Sequence, residues 1–330
     1  MKAYQALLLL AFGGASLAVG IELQPKPEPP PLEAGQPAFP GLVHVLPLAT
    51  RIEITGNGST TTLVHPGDAA AAGWGVEERD GYPADAQKLR SLFSGLDDLR
   101  LVEPRTADPS LFARLGVDDP QAKGATGIRL RVFDADNRVL ASLILGHRGV
   151  RPRPGMPDQL YLRRASDASA WLAEGKLDVS PDPLVWLRHE VLDIKAEQIS
   201  SVEIHRDGAT LTLHRSGNAL VLDNPPPGKI DDIRLIEVSQ ALEGLTFADV
   251  RQGDLPGTPA GSVQFTTTGD QRVTILLSRD GKALWARFAL STSDAKTTLR
   301  LANHVFELPE WRLGTLVPKA ADFLKADRPK

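Results

Sequence analysis

The 330-residue chain has no cysteine, which excludes disulfides, thiolate catalysis, iron–sulfur clusters and cysteine-ligated zinc together. It also excludes a lipid-modified leader, whose cleavage point requires that residue. Aromatic residues make up only 5%, and Trp74, Trp171, Trp186, Trp285 and Trp311 are dispersed, so no base-stacking platform interleaved with cations exists. With a net charge of −4 there is no basic field to draw in nucleic acid.

Catalytic signatures are missing as well. No G-x-S-x-G elbow, Walker loop or dinucleotide fingerprint occurs, so the chain reads as a non-enzyme with no cofactor. The seven histidines include no H-E-x-x-H or short-spaced set, and no metal is expected. His205 and His214, which flank a turn at Asp207-Gly208, come nearest to a pair and read as solvated strand ends. Glu77, Glu78 and Asp80 read as a solvated rim beside a turn and not as paired catalytic carboxyls.

What is present starts at the amino end. Met1-Lys2 precedes the uncharged apolar run Ala6 to Ile21, the pattern of an export signal, for which Ser16-Leu17-Ala18 offers a small-x-small cleavage site. Residues 4–23 also just reach the length of a spanning helix. Residues 1–23 are thus a membrane anchor or signal peptide, and residues 24–47, rich in proline from Pro25 to Pro40, are a semi-rigid linker. The positive-inside rule leaves the carboxy-terminal body outside, which in a bacterium is the periplasm. The alternative is a body released there after cleavage.

The body reads as α+β, with two tandem modules over residues 48–190 and 191–330, each a mainly antiparallel sheet packed with one main helix. In the first, Arg51 to Ile54, a turn at Gly56-Asn57-Gly58 and Thr60 to Val64 predict a hairpin, and Gly73 to Val76 a third strand. Tyr82-Pro83-Ala84-Asp85 opens a helix whose Leu89, Leu92, Phe93, Leu96 and Leu99 form one apolar face. Strands follow at Leu101-Val102, Ile128 to Phe133, Val139 to Leu145 and Leu160 to Leu162, with Trp171-Leu172 and Leu184 to Leu187 as a closing segment.

The second module repeats this order. Val202 to Ile204 and Ala209 to His214 flank Asp207-Gly208, and Leu235, Val238, Leu242 and Leu245 keep the spacing of Leu89, Leu92, Leu96 and Leu99. Gly127, Asp136, Arg138 and Val139 recur at one common offset as Gly261, Asp270, Arg272 and Val273. That register puts Ile128, Leu130 and Val132 opposite Ser262, Gln264 and Thr266, a one-residue slip that a bulge or another alignment must absorb. The agreement elsewhere predicts a duplication.

The stretch Gly75 to Leu89, with Glu78, Gly81 to Asp85 and Lys88, resembles the signature of the domain of unknown function 4340 (DUF4340) family. Leu115-Gly116-Val117, Asp119-Pro120, Leu145-Gly146, Leu160 to Arg163 and Pro183 to Leu187 follow in that family's order. The resemblance implies a membrane-anchored envelope protein, held at the inner membrane by its amino-terminal helix and accompanying gliding-type ABC transporters or other envelope proteins. It brings no catalytic residues.

One cluster remains as a candidate site for an anion or a partner: His147, Arg148, Arg151 and Arg153 in one loop, with Arg163 and Arg164 after the next strand. Arginine forks suit phosphate and carboxylate, so an anionic lipid or glycan is the alternative to a scaffold role. A solvated loop balanced by Asp158, Asp167 and Glu174 is the plainer reading.

Overall fold

The computed structural model describes residues 34–65, 73–149, 155, 157–165, 167–291 and 295–325. The expected anchor at residues 1–23 lies outside the described residues, and among those described no helix is long and apolar enough to cross a membrane.

The first half opens with the hairpin β1 (Ala49–Gly56) and β2 (Ser59–Val64), followed by the short strands β3 (Gly75–Val76) and β4 (Tyr82–Pro83). A first turn of helix, α1 (Leu42–Val45), precedes them. The Asn57-Gly58 turn takes positive φ at both residues, 51° and 74°, the two-residue geometry that matches strand twist. The main helix α2 (Ala86–Asp98) starts one residue after its cap, the Asp85 carboxylate, which accepts from the amides of Gln87 and Lys88. Tyr82 and Pro83 therefore end the sheet and do not open the helix.

Leu89, Leu92 and Leu96 turn inward from α2, and Leu99 caps it in the core. The helix approaches the chain after the last strand so closely that a Cβ on Gly95 would stand 2.6 Å from the Lys176 carbonyl oxygen.

Then come β5 (Arg100–Thr106), a short helix α3 (Phe112–Leu115), and β6 (Ile128–Asp134), β7 (Val139–Arg148), β8 (Gln159–Arg164) and β9 (Ala170–Glu174). Trp171-Leu172 is thus the centre of a strand and not a closing segment. The nine-stranded antiparallel sheet runs β4-β3-β2-β1-β6-β7-β8-β9-β5, and residues 35–38 lie along its β5 edge through bonds to Leu99 and Leu101.

A linking strand β10 (Glu190–Leu192) leads to the hairpin β11 (Ile199–Arg206) and β12 (Ala209–Ser216), β13 (Ala219–Leu222) and helix α4 (Asp232–Ser239). Next are β14 (Leu245–Thr246), which pairs with β10, then β15 (Asp249–Gln252), β16 (Thr258–Thr267), β17 (Arg272–Asp280) and β18 (Ala283–Ser291). Helix α5 (Ala295–Ala302), β19 (His304–Leu308) and α6 (Arg312–Leu316) complete the half. The second sheet runs β13-β12-β11-β16-β17-β18-β19-β15.

Helix α4 ends at Ser239, so Leu242 lies in the following turn and Leu245 in β14. All four members of the predicted stripe are nonetheless buried.

Strand pairing settles the register. Val132 and Leu130 face Ile52 and Ile54, as Phe265 and Val263 face Val202 and Ile204. Asn137 and Asp270 hold the positive-φ corner of the next turn in each half. Asn137 therefore lines up with Asp270, one residue away from the pairing of Asp136 with Asp270 that the sequence suggests, and Leu130 and Val132 share the inward face taken by Val263 and Phe265. The β6–β7 ladder carries a bulge in which Val132 faces Ala141 and Phe133 faces Val139, leaving Leu140 as an additional residue of β7, whereas Phe265 and Thr266 face Val273 and Arg272 without interruption.

The halves differ on their outer faces. In the first sheet residues 107–127 fold back over the outside, burying Phe112 and Val117 with Ile144 and Ala170 in a second, small core. Contact is close enough that a Cβ on Gly146 would lie 2.1 Å from the Leu115 carbonyl oxygen, which brings two of the family landmarks together. In the second sheet the equivalent connection is residues 253–257 alone, and among the described residues the outer face stays open, with His205, Thr210, Thr212 and Leu276 exposed. The main core is one contiguous cluster running from Ala38 to Phe323 across both halves.

Candidate functional site

The basic cluster does not converge. Arg151 and Arg153 lie outside the described residues. Arg163 and Arg164 are neighbours on β8 and so point to opposite faces. The Arg163 side chain stacks over Phe112, 4.5 Å from the ring centroid, and donates to the Val117 carbonyl oxygen at 3.1 Å; burial draws its pKa below the ordinary value. Arg164 forms a fork on Asp167 at 2.6 and 2.9 Å.

Arg148 pairs with Asp178, and that pairing outweighs burial to hold the carboxyl below its usual range. His147 Nε2 sits 3.0 Å from the Thr126 hydroxyl. Each described member of the cluster thus already has a partner, and Arg148, Asp158 and Asp178 together line a small cavity of about 160 Å³.

His205 and His214 are likewise apart. His205 faces Thr210 and His214 faces Ser201 across the β11–β12 ladder, and each has its own acid, Glu203 for His205 and Asp223 for His214. Among the described residues no group of three or more histidines and acids could hold a metal ion.

The densest polar chemistry lies where the two sheets meet. Tyr82, fully buried on β4, is ringed edge-on by Phe247, His304 and Phe306 at 5.3, 5.2 and 5.8 Å. Its phenol oxygen accepts from Arg300 of α5 at 2.8 Å, and the same guanidinium donates to the Glu190 carbonyl at 3.0 Å and the Val191 carbonyl at 2.6 Å. Burial raises the Tyr82 pKa against the opposing pull of Arg300.

His304 is 8% exposed. Its Nδ1 lies 3.0 Å from the Arg300 carbonyl oxygen, while its Nε2 is buried with no hydrogen-bond partner among the described residues. Burial lowers its pKa.

At the rim of this junction Arg79 forks onto Asp249 at 2.5 and 3.1 Å, and Asp80 accepts from the Gln252 amide at 2.9 Å. His189 spans it from the linker: Nδ1 is 2.9 Å from the Phe247 carbonyl oxygen and Nε2 is 2.8 Å from that of Leu184. A groove of about 860 Å³ runs alongside, lined by Trp74, Phe93, Arg90, Arg188 and His189 among others.

The sequence model of the family described as domain of unknown function, DUF4340, matches residues 74–262, more than half of the chain. The chain belongs to the DUF4340 family. The matched stretch begins at Trp74, takes in Tyr82, His189 and Phe247, and ends within β16, before Arg300 and His304. No curated protein and no solved structure matches the chain.

For this DUF4340 member the junction was invisible in the sequence, because its polar partners are mostly backbone carbonyls that no residue pattern marks. The GYPAD run did contain a signal, since a tyrosine ahead of a helix cap and fully buried needs a partner for its hydroxyl.

Proposed function

We propose that this DUF4340 protein is a non-catalytic accessory or scaffold subunit of the bacterial envelope. On this reading its amino-terminal segment tethers it to the inner membrane, and its periplasmic body serves a gliding-type ABC transporter or a related assembly. The body is proposed to be a duplicated module, which the shared strand order of the two sheets supports.

The observation that carries the scaffold reading is the open outer face of the second sheet. Register lays its side chains out as a grid. One row runs Thr210, His205, Ser262, Leu276 and Arg287, and the next Thr212, Glu203, Gln264, Thr274 and Ala289.

Glu203 and Arg287 balance in charge, most of the remaining groups are short hydroxyls and amides, and Leu276 is 45% exposed. Such a near-neutral, hydrogen-bonding surface suits a folded protein partner better than a polyanion. An anionic lipid or glycan ligand has less support, because Arg148, Arg163 and Arg164 are already engaged.

The intact chain is purified from crosslinked membranes, alongside variants Thr212→Arg and Gln264→Arg. The expected result is an envelope protein recovered with the native chain and lost from both variants. Undiminished recovery with the variants, or no envelope partner at all, overturns the reading.

A further inference from the structure

We infer that His189 is a proton-binding site that clasps the two halves together, and that the clasp loosens when the proton leaves. Both ring nitrogens sit at hydrogen-bond distance from carbonyl oxygens, Nδ1 at 2.9 Å from Phe247 and Nε2 at 2.8 Å from Leu184. A carbonyl oxygen can only accept, so each bond requires an N–H on the histidine. A neutral imidazole carries one N–H and satisfies one of the two; the imidazolium carries two and satisfies both.

The two carbonyls belong to different halves. Leu184 lies in the short helical turn Pro183–Trp186 that closes the first half. Phe247 follows β14 in the second, and its ring packs on the His189 ring with centroids 5.2 Å apart. The Phe247 amide returns the contact by donating to the His189 carbonyl oxygen at 3.2 Å. The protonation of His189 therefore decides whether its side chain bonds both halves at once at this seam.

The other charged groups around it come from every neighbouring element. Arg188 and Glu190 flank it on the linker and pair at 3.4 Å. From the start of α2, Lys88 donates to the Val185 carbonyl and the Asp85 amide to that of Trp186, and Arg90 lines the adjoining groove. Beyond Phe247, Asp249 is held by Arg79, and Arg300 is fixed on the Glu190 and Val191 carbonyls. His304, on the far side of Phe247 and Tyr82, is held toward its neutral form by burial.

Carboxylates and arginines keep their charge between about pH 5 and 8, the interval in which an imidazole changes its own. Only the protonated ring supplies an N–H to each of the two carbonyl oxygens, so acidification strengthens the seam and alkalinity weakens it.

Two readouts on the full chain test this: ring-nitrogen NMR of His189, and amide-exchange protection at Phe247, each from about pH 5.5 to about pH 8. The expected result is a doubly protonated ring at the acid end. As that proton is lost, protection at Phe247 falls by at least about tenfold, the scale of a lost charged hydrogen bond. In His189→Gln, which cannot bridge both carbonyls, protection at Phe247 is low and independent of pH.

A His189 ring with one bare nitrogen throughout the range overturns the inference. So does a pH-dependent loss of protection that persists in His189→Gln. Should that variant fail to fold, the titration of the native ring and of Phe247 protection decides alone.

Discussion

Arg300 and Tyr82, 218 residues apart in sequence, meet through a 2.8 Å hydrogen bond from the guanidinium to the phenol oxygen. The bond ties α5, an element with no counterpart among the described residues between β8 and β9, to the edge strand β4 of the first sheet, while the same guanidinium holds the linking strand β10. It converts two sheets in series into one packed body.

Removing the phenol oxygen isolates this tie. Tyr82→Phe keeps the edge-on aromatic packing and leaves one Arg300 donor without its acceptor, at a cost of about 1–2 kcal/mol. Arg300→Ala also frees the Glu190 and Val191 carbonyls and costs more, about 2–4 kcal/mol. Denaturant unfolding checks both, and the double variant is expected to be less destabilised than the sum of the singles.

The closest helix contact gives a second test. Gly95→Ala improves helix propensity by about 1 kcal/mol, yet its Cβ meets the Lys176 carbonyl oxygen at 2.6 Å. The clash is expected to win, with a net loss of about 1–3 kcal/mol in chemical denaturation. A stabilised variant would show that the 176–177 backbone yields.

His304 sets a pH dependence of its own. Its pKa in the fold lies below the ordinary 6.5 because burial disfavours the charged ring. The unfolded chain therefore takes up the proton first, and the contribution of His304 to stability is present above pH 6.5 and declines as pH falls below it. The difference in stability between the native protein and His304→Gln, followed by thermal unfolding, is expected to shrink as the solution is acidified across that range.

Neutralising the basic loop should matter little. The Arg148–Asp178 pair has both side chains more than half exposed, 61% and 59%, and such pairs contribute about 0–1 kcal/mol. Arg148→Ala is expected to leave unfolding within that margin and to leave binding to anionic vesicles unchanged and negligible. Arg164→Ala, which strands the partly buried Asp167, is expected to cost more, about 1–2 kcal/mol.

Local chemistry made the hairpins and the main helix readable: Asn57-Gly58 and Asp207-Gly208 take the positive-φ turns, and Asp85 caps α2. Strand β9 was not readable as one, because Ala170, Trp171, Leu172 and Ala173 are all buried. The chain that folds over the outer face removes the polar alternation that marks a half-exposed strand. Leu242 and Leu245 kept a helical spacing beyond the helix, since a turn and a strand buried them in the same core.

The Arg163-Arg164 pair looked like a cluster only in one dimension; pleating sends the two to opposite faces. Nothing in the residues around His189 announces its role, which depends on where the Leu184 and Phe247 carbonyls arrive after folding.

Residues 35–38 run along the outer edge of β5, with Gly35 and Ala38 donating to Leu101 and Leu99 and Leu101 donating to Gln36. Among the described residues, mechanical tension applied from the amino end meets these three bonds first. Peeling them would bare the β5 edge and leave the ladder of the sheet proper intact, so a pulled chain would lose this short segment ahead of the strands behind it.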